Sequence, residues 1–133
     1  DPECQVILPR LKTDIVKIFN KSISKKLNKT KIKWSEKKCM TVVLCSKGYP
    51  VKYKNNLKIK NINKINLRKE DFIYHAGTKF INDELRTNGG RVLNVTSTGI
   101  DFLKIRKRIN SIIKKINWKK GYYRKDIGWK VID

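Results

Sequence analysis

Asn88-Gly89-Gly90-Arg91 is the stretch whose residue types best suit anion chemistry. Adjacent glycines let backbone N–H groups approach a phosphate or carboxylate closely. The guanidinium beside them can grip such a group through two parallel N–H donors. The same residues also form a plain hairpin signal followed by a surface arginine, because Asn-Gly-Gly tolerates positive φ. Spacing alone favours the hairpin. Four other short segments are unusual: Asp1-Pro2-Glu3, Ser46-Lys47-Gly48-Tyr49-Pro50, His75-Ala76-Gly77-Thr78 and Arg124-Lys125-Asp126-Ile127-Gly128-Trp129. His75 reads as a structural hydrogen-bonding residue at a strand end, and Ser46 to Pro50 as a turn. Asp126 either pairs with Arg124 or caps a turn.

Other chemistries lack their residues. His75 is the only histidine, no Ser/His/Asp spacing is present, and no Gly-x-x-x-x-Gly-Lys loop occurs. Cys4, Cys39 and Cys45 form no Cys-x-x-Cys pair, so neither zinc nor a disulfide framework is expected. Reduced, mostly buried thiols in a cytoplasmic protein are the expectation. No apolar run reaches the roughly 18 residues of a membrane span. The opening Asp1-Pro2-Glu3-Cys4-Gln5 has no signal-peptide character, and without an initiator Met the chain is expected to begin inside a longer one.

The net charge of the 133 residues is +22, which raises the possibility of a nucleic-acid module. The composition argues against it: 26 Lys stand against 7 Arg, beside 18 Ile and 12 Asn. Those are the residues of A/T-rich codons, and the lysines are spread along the whole chain. A nucleic-acid groove selects Arg for its fork and aromatics for stacking. Salt-sensitive adhesion to polyanions is expected, without a specific nucleic-acid partner.

The elements that must position these segments are visible in the periodicity. Leu8, Leu11, Ile15, Ile18, Phe19, Ile23 and Leu27 predict one helix over 8–27, with Pro9 in a first turn and Thr13-Asp14 as a possible later cap. Met40 to Cys45 predicts a strand, Asp71 to Ala76 a second and Leu85 to Thr87 a short one after an Asn82-Asp83-Glu84 turn. Arg91 to Thr96 is the return strand of the expected hairpin, and Tyr122 to Arg124 is strand-like. Between them, Val51 to Lys69 reads as an elaborated loop. Phe102, Ile105, Ile109, Ile112, Ile113 and Ile116 make one helical stripe, capped by Asp101, with Lys104, Lys107, Arg108, Lys114 and Lys115 opposite. The expected class is α+β: an antiparallel sheet with a covering helix, preceded by a helix belonging to another unit.

In this order the segments resemble the C-terminal portion of phosphoribosylamine–glycine ligases, ATP-grasp enzymes of purine biosynthesis. Asp1-Pro2-Glu3-Cys4-Gln5 is similar to the family's Gly-Asp-Pro-Glu-Thr-Gln, with Cys4 in place of Thr. Thr41 to Pro50, His75 to Thr78, Thr87 to Leu93 and Tyr123 to Trp129 follow the family pattern. Val51 departs from it, standing where the family has Gly. The resemblance implies that 1–34 closes an ATP-grasp domain and 35–133 forms the ligase C-terminal domain. It implies a reaction in which glycine, ATP and 5-phosphoribosylamine give glycinamide ribonucleotide through glycyl phosphate. ATP and its Mg or Mn would be held mainly by residues before Asp1, leaving this chain inactive alone and monomeric. Arg91, Gly89 and Gly90 would hold the substrate phosphate and Asp1 would face the reacting amine, with Glu3 and Lys79 as further substrate-binding residues. A noncatalytic remnant or a basic nucleic-acid-binding module is the alternative.

Overall fold

The computed structural model describes residues 2–132. Its strands are β1 (Lys38–Ser46), β2 (Asp71–His75), β3 (Thr78–Ile81), β4 (Glu84–Thr87), β5 (Arg91–Gly99) and β6 (Gly121–Tyr122). The helices are α1 (Cys4–Ile7), α2 (Ile15–Ile23) and α3 (Phe102–Lys115). Four strands form one antiparallel sheet in the order β2-β5-β1-β6, and β3 and β4 form a separate hairpin. This is the α+β class expected, with α3 lying across β5 and β1.

The core follows from the alternation of the strands. Register pairs Val42 with Val95 and Leu44 with Leu93, so these side chains share one face of the sheet. Ile105, Ile109, Ile112 and Ile113 of α3 are buried against that face. Asp101 caps the helix, its carboxylate accepting from the Lys104 N–H at 2.7 Å. The other face is more polar, carrying Thr41, Asn94 and Thr96, and the Thr96 hydroxyl donates to that of Thr41 at 2.7 Å.

Asn94 is fully buried, and among the described residues neither its Oδ1 nor its Nδ2 has a hydrogen-bond partner. An unmet buried amide loses its hydration without compensation. Asn94→Val is therefore expected to raise stability by about 1 kcal/mol or more, measured by urea unfolding at unchanged m-value.

Four expectations are corrected. The single helix over 8–27 is broken: a 3-10 turn at Leu8–Arg10 follows α1, and Leu11 runs extended beside Trp34. The Lys12 N–H donates to the Lys33 carbonyl at 3.0 Å and the Lys33 N–H to Thr13 Oγ1 at 2.7 Å. Asp14 then starts α2 by accepting from the N–H groups of Val16 and Lys17. The second correction concerns the hairpin. Asn88-Gly89-Gly90 does not join β4 to β5, because β4 pairs with β3, a strand that periodicity did not reveal. The hairpin turn is Asn82-Asp83, both at positive φ, whereas Gly89 and Gly90 are not at positive φ.

Third, Arg108 is not on the solvent side of α3. Its Nε lies 2.7 Å from Asp71 Oδ1 and donates to Ser97 Oγ at 2.9 Å, while the Ser97 hydroxyl donates to Asp71 at 2.7 Å. Gly99 opens the way: a Cβ there would sit 3.1 Å from Ile105 and 3.8 Å from the Arg108 guanidinium. Fourth, the cysteines are not mostly buried. Cys4 is exposed, Cys45 half-buried and only Cys39 buried, all three as free thiols.

The Val51 to Lys69 segment is an elaborated loop, as expected. Ile59 and Ile65 anchor it in the core, and Lys60 bridges to Asn117. Among the described residues no helix is long and apolar enough to cross a membrane.

Candidate functional site

The glycine–arginine turn sits where β5 begins, beside the end of β1. Ser46 holds it from the β1 side: its N–H donates to the Gly90 carbonyl at 2.8 Å and its hydroxyl to the Gly89 carbonyl at 3.1 Å. From the other side the Gly77 N–H donates to the Arg91 carbonyl at 2.9 Å and the Asn88 N–H to the Gly77 carbonyl at 2.8 Å. Because the peptide unit is planar and trans, fixing the Gly89 carbonyl towards Ser46 turns the Gly90 N–H the opposite way. Among the described residues neither the Gly89 nor the Gly90 N–H has a backbone acceptor. Such fixed donors beside a guanidinium suit an anion.

Close approach, not positive φ, explains the glycines. A Cβ on Gly77 would lie 2.7 Å from the Arg91 carbonyl oxygen and 2.8 Å from Gly89 Cα. One on Gly90 would lie 2.1 Å from the Tyr49 ring, which packs over the turn. Ser46, Tyr49 and Gly77 therefore shape the site, roles that their residue types alone did not reveal. The only signal was their membership of the unusual short segments.

α1 packs on β1 and β5. The Glu3 carboxyl lies within electrostatic reach of the Arg91 guanidinium. Arg91 also faces Cys45, whose thiol is pushed up by burial against the guanidinium's opposing pull. Glu3 and Arg91 are thus brought near one end of the sheet from distant parts of the sequence. Lys79 is exposed on β3 opposite Arg86, two residues beyond Gly77. Asp1 lies outside the described residues.

The remaining candidates take structural parts. His75 Nδ1 lies 3.1 Å from Thr78 Oγ1, a hydrogen bond at the end of β2 as expected. Asp126 does both things that spacing allowed. It takes Arg124 Nη2 at 2.6 Å and Nε at 3.1 Å, and its carbonyl accepts from the Trp129 N–H at 3.1 Å. The hydrogen bonds from Arg124 hold the Asp126 carboxyl below the usual range. Among the described residues no three His, Cys, Asp or Glu side chains come together as metal ligands.

Comparison with known proteins gives a consistent result. Residues 39–130 match the family model described as phosphoribosylglycinamide synthetase, C domain. Phosphoribosylamine–glycine ligase of Caldanaerobacter subterraneus subsp. tengcongensis is 41% identical over 127 residues, covering 96% of this chain and 30% of that protein. The Fusobacterium nucleatum ligase is 42% identical over 129 residues, with the same 96% and 30% coverage. The trifunctional purine biosynthetic protein adenosine-3 of Gallus gallus is 41% identical over 133 residues, of which the chain spans 13%. The crystal structure of the Thermotoga maritima ligase superimposes with a TM-score of 0.63 at 26% identity, over 81% of this chain and 27% of that one. The chain thus spans about 30% of the bacterial relatives' length and belongs to the phosphoribosylglycinamide synthetase C-domain family.

Proposed function

We propose that the chain acts as the C-terminal part of a phosphoribosylamine–glycine ligase, supplying the ribose-phosphate side of the substrate site. In that reaction a glycine carboxylate oxygen attacks the γ-phosphorus of ATP, and the bond to the β-phosphate oxygen breaks to release ADP. The amine of 5-phosphoribosylamine then attacks the acyl carbon of glycyl phosphate. Phosphate leaves as the amide forms, and the amine gives up a proton.

The residues of this chain bind and orient. Arg91 and the N–H groups of Gly89 and Gly90 hold the substrate phosphate, with Ser46 and Gly77 fixing the turn from either side. Asp1 faces the reacting amine, Glu3 stands beside Arg91 to set its direction, and Lys79 adds positive charge at the rim. ATP with its Mg or Mn is assigned to residues outside this chain, where the cation would neutralise charge on the transferring phosphoryl group. Residues 1–34 are assigned to the end of that ATP-grasp domain. The family match beginning at residue 39 supports this boundary, as do the exposed Val16, Phe19 and Ile23 of α2.

One observation carries the proposal: Ser46 and Gly77 hold the Gly89-Gly90-Arg91 turn from either side at the end of the sheet, within the fold shared with the ligases. The test is a chimera in which this chain replaces the matching C-terminal segment of the Fusobacterium nucleatum ligase. Formation of ADP dependent on both glycine and phosphoribosylamine is expected. A folded chimera with no such turnover would support the noncatalytic remnant instead.

A further inference from the structure

A basic cleft shares no lining residue with the Gly89-Gly90-Arg91 turn. Its volume is about 570 Å³, and five lysines line it, Lys47, Lys52, Lys54, Lys119 and Lys120, together with Tyr53 and Leu57. No carboxylate lines it. An adjoining hollow of about 420 Å³ shares Lys119 and Lys120 and adds Lys58 and Lys60. Lys58 is neutralised by Glu84, yet none of the five cleft lysines makes an ion pair with a described residue.

The walls are tied together through the backbone. The Lys47 N–H donates to the Lys120 carbonyl at 3.0 Å, and Lys60 and Asn117 exchange N–H bonds at 3.0 and 3.1 Å. Gly48, at φ +96, lets the Lys52 carbonyl come within 2.0 Å of where a Cβ would stand, so the chain folds back sharply between Lys47 and Lys52. Tyr53 is held against Tyr49, with ring centres 5.9 Å apart. The fold therefore assembles three separate lysine-bearing segments around one concavity.

We propose that this cleft is a binding site for a compact polyphosphate, the triphosphate chain shared by nucleoside triphosphates and inorganic triphosphate. Ammonium groups act as point charges for phosphate, without the planar fork that reads bases. The volume falls in the range of small-ligand pockets, roughly 300–1,000 Å³. A single aromatic ring provides one stacking surface, whereas a single-stranded nucleic acid needs a succession of them. The proposal does not depend on the ligase reaction.

The test uses the 133-residue chain and inorganic triphosphate, titrated by calorimetry in 0.15 M KCl. A saturable one-to-one complex is expected. The double substitution Lys52→Glu with Lys119→Glu should weaken it by tenfold or more. Lys17→Glu with Lys29→Glu changes the net charge equally at a distance and should weaken it less than twofold. Circular dichroism checks that both variants are folded, and Lys52→Met with Lys119→Met repeats the test without charge reversal. ATP should bind at least as tightly as inorganic triphosphate, and adenosine should not bind. Equal weakening by both double variants would overturn the site in favour of diffuse adhesion by the +22 charge. So would abolition of binding by Arg91→Ala, which would move the anion to the glycine turn. Affinity that grows with the length of an oligonucleotide while triphosphate fails to bind would overturn it in favour of nucleic acid.

Discussion

Arg108→Met is expected to destabilise the chain by about 3 kcal/mol, lowering Tm by roughly 10 °C. The Asp71 side chain is only 3% exposed, and Arg108 is its ion-pair partner among the described residues. Removing the arginine leaves a buried carboxylate with the Ser97 hydroxyl and a long contact from the Arg68 N–H at 3.3 Å. Those groups do not replace a cation. The loss is structural as well as electrostatic, because Arg108 joins α3 to both β2 and β5 through Asp71, Ser97 and the Thr98 carbonyl. Adding Asp71→Asn to Arg108→Met removes the stranded charge, so the double variant should recover a large part of the loss. Equal stability of wild type and Arg108→Met would show that the pair contributes nothing net.

Gly77→Ala is expected to cost about 2–3 kcal/mol by forced separation of packed backbones. The obstacles to its Cβ are the Arg91 carbonyl and Gly89 Cα, neither of which can rotate away as a side chain would. Making room stretches the Gly77–Arg91 and Asn88–Gly77 hydrogen bonds and shifts the start of β5. Gly90→Ala is the useful contrast. Its Cβ meets the Tyr49 ring, which can swing aside, so the stability loss should be smaller although the nominal overlap is greater. Urea unfolding of the two variants ranks them directly.

The local patterns were legible where one physical signal dominated. The isoleucine stripe of α3, its Asp101 cap and the β-branched run of β1 needed only period and propensity. The glycine turn was marked as a place for an anion, but its geometry was misread. Asn-Gly-Gly is locally a hairpin signal, and only the pairing of β4 with β3 shows that these glycines serve close packing. Arg108 was hidden for a related reason. Its helix position places it beside lysines, and its partner Asp71 lies on a strand that sequence spacing does not connect to it. The break before α2 depends on Thr13 and Lys33 meeting through a hydrogen bond that periodicity does not report. Residue type alone singles out Gly89, Gly90 and Arg91 as a place for an anion, whereas Asp1, Glu3, Lys79 and the substrate phosphate came from the resemblance.

The kinetic effect of Arg91→Ala in the active chimera tests the central claim most directly. Loss of the guanidinium beside the Gly89 and Gly90 N–H groups should raise KM for phosphoribosylamine tenfold or more, about 1.4 kcal/mol per decade, with little change in KM for glycine or ATP. Arg91→Lys should recover only part of the loss, since an ammonium cannot make the paired contact. An unchanged KM for phosphoribosylamine in a folded, active chimera would contradict the assignment and remove Arg91 from the substrate site.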